Sequence, residues 1–151
     1  MPKLRSTISP ETTQGDIHRS LEDLEADVWG DPVYDSYVVM TVHSLRRKPL
    51  GTLTDEELRL GIGQAVGLKY LVPLAVSRLR ENPLLSGDFY PGALLSALMR
   101  VGKEFWHDNL PLRREVSILA ATAVRELPAE EDYDENPLHD RYAAFVRDAE
   151  P

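Results

Sequence analysis

The chain contains no cysteine. That single absence removes disulfide staples, thiolate zinc sites, iron–sulfur ligation and thiol nucleophiles, and it fits a reducing compartment. Long apolar runs are missing as well. The two longest, Leu94 to Met99 (broken by Ser96) and Ile118 to Val124, fall far short of the roughly 20 residues that cross a bilayer. The opening residues MPKLRSTISP are followed by no apolar block of secretory-signal length, so no export signal is expected. Strand signals are scarce. The one β-branched cluster, Tyr37 to Val42, shows no clean alternation, and a short strand there is the main alternative to an all-helical reading. No internal repeat or sustained heptad pattern occurs. Positive charge is in short supply, with 17 Lys and Arg against 25 Asp and Glu and a net charge of −8. Such a field repels nucleic acid and anionic lipid and attracts basic partners.

What is present is helical periodicity. With 151 residues, 42% of them hydrophobic, the chain can bury one core without covalent or metal staples. Ile17, Leu21, Leu24 and Val28 form one stripe, and Val38, Val39, Val42 and Leu45 a second. Thr54 three residues before Glu57 is a capping box, which opens a helix whose buried face is Leu58, Ile62 and Val66. Leu68, Leu71, Val72, Ala75 and Leu79 follow. Pro73 is tolerable there in a first turn, which places the helix start near Tyr70. Pro91-Gly92 precedes Leu94, Leu95, Leu98 and Val101. Asn109 before Pro111 predicts a cap and a first-turn proline for the longest helix, built on Leu112, Val116, Leu119, Ala120, Ala123 and Val124. A last stripe is Leu138, Tyr142, Phe145 and Val146. The expectation is an all-α fold, one compact multi-helix domain of about six to seven helices. Residues 1–15 read as a flexible N-terminal arm, 16–127 as the helical domain, and 128–151 as an acidic linker with a short C-terminal helix.

No catalytic motif emerges. The segment Gly61-Ile62-Gly63-Gln64-Ala65-Val66-Gly67 resembles a dinucleotide fingerprint, but its third glycine is one place late and a capped helix precedes it. Close helix packing at Gly61 and Gly63, with Gly67 as a left-handed C-cap, explains it better. His18, His43, His107 and His139 are scattered without metal-ligand spacing, so neither a metal nor a cofactor is expected. His139-Asp140 lacks a nucleophile elbow to serve. Arg46-Arg47-Lys48, the one basic run, falls where its stripe ends and suits a helix C-terminus.

The distinctive feature is acid density. From Asp16 to Asp35 come Asp16, Glu22, Asp23, Glu25, Asp27, Asp31 and Asp35, against Arg19 alone, interleaved with Trp29, Tyr34 and Tyr37. A surface for a basic protein needs long-range attraction and aromatic anchors, and this block offers both. A solvated helix with core aromatics is the competing explanation. The candidate partner-binding residues are therefore Asp23, Glu25, Asp27, Asp31, Tyr34, Asp35 and Tyr37. The loop Asp88-Phe89-Tyr90-Pro91-Gly92 reads as a core plug.

Between Ser20 and Trp106 stand the strings Trp29-Gly30, Arg47-Lys48-Pro49-Leu50-Gly51, Ile62-Gly63-Gln64, Leu71-Val72-Pro73-Leu74 and Gly87-Asp88-Phe89-Tyr90-Pro91-Gly92. On these the chain resembles the immunity proteins of bacterial contact-dependent growth inhibition (CDI) systems. The resemblance implies a non-enzymatic cytoplasmic protein that binds the C-terminal domain of a cognate toxin, often a nuclease, and blocks it. It implies no cofactor, no nucleic acid and no membrane as direct partner, and it leaves monomer and weak dimer both open. The charge agrees, because a nuclease is usually basic around its active site, where a carboxylate-rich surface can occupy the substrate's trough. The composition alone also allows an acidic helical adaptor for another basic protein, or, without motif support, a small enzyme with a carboxylate site.

Overall fold

The computed structural model describes residues 17–33, 35–85, 90–127 and 138–148. These contain eight α-helices, one 3-10 turn at Leu50–Thr52 and no strand. In chain order the helices are α1 (Leu21–Glu25), α2 (Tyr37–Leu45), α3 (Asp55–Gly63), α4 (Leu68–Glu81), α5 (Ala93–Met99), α6 (Lys103–His107), α7 (Leu110–Glu126) and α8 (Leu138–Asp148). The all-α architecture is as the periodicity predicts, and Tyr37 to Val42 is helical. The arm assigned to residues 1–15 and the linker assigned to 128–137 lie outside the described residues, as do Asp88 and Phe89 of the loop read as a core plug.

Helix α3 sits at the centre, packed against α2, α4 and α5, while α7 contacts α4, α5, α6 and α8. One apolar cluster runs through them, from Leu21 and Leu45 through Leu58, Leu71 and Leu94 to Val116, Leu138 and Phe145. The capping box forms: Glu57 N–H donates to Thr54 Oγ1 at 3.1 Å, and Thr54 N–H donates to Glu57 Oε1 at 2.9 Å. Helix α7 is the longest, with Val116, Leu119, Ala120 and Ala123 buried. Helix α8 docks through Leu138 and Phe145. Leu138 fits against Gly92, where a Cβ would stand 2.8 Å from its Cδ2.

Several local expectations need correction. The first stripe yields only five helical residues, because Ala26 turns left-handed at φ 52° and its N–H closes on Asp23 C=O. Val28, expected on the buried face, is 72% exposed. Helix α4 starts at Leu68, two residues early, so Pro73 lies inside it and removes one helical hydrogen bond rather than sitting in the first turn. Gly67 is left-handed as expected, but it leads into α4. The left-handed residue after α3 is Ala65. Gly61 does give close packing, since a Cβ would lie 2.6 Å from Leu71 Cδ1, whereas Gly63 has open space. Asn109 precedes α7 but does not cap it, because its Nδ2 donates back to Phe105 C=O at 2.8 Å.

Candidate functional site

The acidic segment is held in place by backbone. Glu22 N–H donates to Arg46 C=O at 3.0 Å, Leu50 N–H to Arg19 C=O at 2.9 Å and Gly51 N–H to Ile17 C=O at 2.8 Å. These bonds lay α1 along residues 46–51, the stretch that carries the basic run. Gly51 permits the approach, since a Cβ there would stand 3.3 Å from Ile17 O. Ser20 caps α1 and Ser36 caps α2, each accepting a backbone N–H at 3.2 Å.

This docking brings Arg46 into the middle of the site. Arg46 is only 1% exposed. Its Nη1 donates to Glu25 Oε1 at 2.5 Å, and its Nη2 donates to the carbonyl of Asp27. Its guanidinium carbon lies 4.3 Å from the centre of the Trp29 ring, within the range of a cation–π contact. The indole N–H donates to Asp27 Oδ2 at 3.2 Å, and the ring meets His43 edge-on at 5.0 Å. Beside it, Arg47 donates to Gly30 C=O at 2.7 Å and pairs loosely with Glu22 and Asp31. Lys48 pairs with Glu57 at 2.6 Å. Thus Arg46 caps α2 at its C-terminus, as the sequence suggests, while the side chains of the run serve chiefly to anchor residues 25–31 and α3.

The candidate residues therefore differ in role. Glu25 is committed to Arg46, Asp27 holds the Trp29 indole, and Asp31 shares Arg47 with Glu22. Asp23 and Asp35 are exposed, and their carboxylates carry no hydrogen bond or ion pair among the described residues. Tyr37 opens α2 and is exposed. Tyr34 lies outside the described residues. Charge counting along Asp16 to Asp35 thus overstates the free negative charge, because Arg46 and Arg47 approach from the next helix.

What the sequence missed is apolar. Eight large hydrophobic side chains are exposed among the described residues, and five of them, Val28, Trp29, Val33, Tyr37 and Met40, fall between residues 28 and 40. Val33 is 90% exposed and Trp29 43%. Single exposed apolar residues are ordinary, whereas five within thirteen residues set this stretch apart from the rest of the described surface. Trp29 and Tyr37 are the two of these that the sequence offers as aromatic anchors; Val28, Val33 and Met40 carry no such signal, and their exposure is visible only in the fold.

No helix among the described residues is long and apolar enough to cross a membrane. Comparison with curated proteins and with solved structures finds no match. A family model described as CDI immunity proteins matches residues 23–116, a span that runs from within α1 through α2 to α6 and into α7. Since that match covers more than half of the chain, the protein is a member of the CDI immunity protein family.

Proposed function

We propose that the protein neutralises its cognate toxin by seating the toxin's C-terminal domain against the face formed by residues 23–40. The domain is a basic one, of nuclease type, and the complex forms in the cytoplasm without any catalysis by the immunity protein. The supporting observation is the concentration of exposed Val28, Trp29, Val33, Tyr37 and Met40 among the carboxylates of Asp23, Asp27, Asp31 and Asp35. Apolar anchors in a polar, negatively charged surround suit a partner that evolved to hold a polyanion. Because much of the acid is already paired with Arg46 and Arg47, the anchors supply the hold and the free carboxylates the steering. A standard interface of about 1,600 Å² needs about 800 Å² on each side, some 20–30 residues, so neighbouring turns contribute too.

The test is co-expression with the toxin domain encoded beside this chain. Co-purification, protection of cells, and loss of nuclease activity in proportion to added immunity protein are expected. Unprotected cells, or an affinity weaker than about 1 µM, would overturn the assignment. A complex that forms while the toxin still cleaves nucleic acid would overturn active-site coverage.

A further inference from the structure

Where α6, α7 and α8 meet, a cleft of about 430 Å³ opens, a volume suited to a small organic ligand. In a chain of net charge −8 this cleft is basic. Lys103, His107 and Arg114 line it together with one carboxylate, Asp148. None of those three basic side chains forms an ion pair among the described residues. Arg113 also lines the cleft but is committed, donating to Phe145 C=O at 2.6 Å and lying 3.9 Å over the Phe145 ring. That contact fixes one wall.

Apart from Ser117 the rest of the lining is apolar or aromatic, and two details mark it as unfinished. Trp106, 3% exposed, lines the cleft, and its indole N–H has no acceptor among the described residues. Helix α7 begins at the cleft with Leu110, and Asn109 turns away from capping it; Pro111 has no N–H and Arg113 N–H donates to Asn109 C=O at 3.0 Å, which leaves the N–H groups of Leu110 and Leu112 without a side-chain acceptor. A 17-residue helix with an uncapped start favours an anion there, and the adjacent Lys103 and Arg114 add to it. Ser117, Phe145 and Asp148 fall outside the family-matched residues 23–116, so the cleft depends on what this chain adds to the family segment.

We propose that this cleft binds a phosphate monoester carrying an apolar or aromatic body, with the phosphate at Lys103, Arg114 and the start of α7, and the body against Leu110 and Trp106. A phosphate matches the donors better than a neutral ligand, since two full positive charges and a helix start face one carboxylate. The site is separate from the proposed toxin-binding face and stands or falls without it. A bound ligand bridges α6 and α7 and raises the melting temperature as it saturates the site.

The experiment titrates the full chain with 1-naphthyl phosphate, 1-naphthol and inorganic phosphate, following heat release and the Trp106 indole N–H resonance. We expect naphthyl phosphate to shift that resonance and to bind at least about tenfold tighter than either half alone. Arg114→Glu should weaken it by about tenfold or more, with the far-ultraviolet circular dichroism unchanged. Lys69→Glu, an exposed charge reversal on α4, should leave it unaltered. Naphthyl phosphate binding no better than naphthol, or binding that survives Arg114→Glu combined with Lys103→Glu, overturns the proposal.

Discussion

Arg46 lies beneath Trp29, its guanidinium carbon 4.3 Å from the ring centre, with Glu25 and the Asp27 carbonyl taking its hydrogen bonds. One buried cation therefore fixes the end of α1, the turn that follows it and the orientation of the exposed indole. Residues 26–33 contain no regular secondary structure, yet they carry three of the exposed apolar side chains. Holding such a segment from below reduces the ordering cost when a partner lands on it. Trp29 itself keeps 43% of its surface exposed.

Trp29→Ala is expected to separate binding from stability. A side chain 43% exposed forfeits only part of a core aromatic's contribution, so unfolding free energy should fall by no more than about 2 kcal/mol. Binding to the toxin domain should fall by at least about 2 kcal/mol, roughly thirtyfold in Kd. Calorimetric titration and chemical denaturation on the same variant decide it. Intact binding with a large stability loss would assign Trp29 to the core instead.

Glu25→Ala is expected to act the opposite way. It leaves the Arg46 guanidinium buried without its carboxylate, a situation that costs several kcal/mol when desolvation is complete. Glu25 retains 30% side-chain exposure, which lets water reach the gap, so about 2 kcal/mol and a fall of about 4–8 °C in Tm are expected. Differential scanning calorimetry reads this without any partner. A Tm equal to that of the parent chain would show that the Asp27 carbonyl and Trp29 alone satisfy Arg46.

Asp23→Asn and Asp35→Asn are the variants for steering, because those carboxylates carry no partner charge among the described residues. Neutralising both should slow association severalfold at about 0.01 M salt, where the Debye length is about 30 Å, and far less at about 0.1 M, where it is about 10 Å. Dissociation should change little. Asp23 lies in the first turn of α1, so a loss of up to about 1 kcal/mol in stability is expected there from the helix dipole alone. Stopped-flow rates that are identical at low salt would place the interface away from these two residues.

The helices that were legible in sequence are those whose local signals agree with their packing. Thr54 and Glu57 announce α3 because both halves of the capping box lie within four residues, and α7 shows its buried stripe over four turns. Helix α1 was overread because Ile17, Leu21, Leu24 and Val28 keep helical spacing, while the residue that ends the helix is an alanine, Ala26, with no turn signature. Pro73 marked a plausible start for α4, but a buried apolar face on both sides of it overrides the local preference. For the site, the acidic residues could be named but not ranked. Glu25 and Arg46 are 21 residues apart, and their pairing depends on α1 lying along residues 46–51, a tertiary contact with no local spacing rule.

The last prediction concerns acid. Burial by itself would raise the Glu57 carboxyl pKa, but the Lys48 ammonium at 2.6 Å, the Thr54 N–H and the Thr54 hydroxyl outweigh it and hold the group below its ordinary 4.5. Glu115 is lowered as well, first by its hydrogen bonds from Arg80. A carboxylate whose pKa is depressed by folding contributes stability that is fully present above the unfolded value and is lost as pH falls through the folded one. Glu57→Gln preserves an acceptor for Thr54 N–H, so the capping box survives while the titration and the Lys48 ion pair disappear. Denaturation measured across the acid range should therefore show the parent chain more stable than the variant by a constant margin above pH 4.5, with that margin shrinking at lower pH. Parallel curves down through the acid range would mean that the Lys48–Glu57 pair contributes nothing that depends on charge.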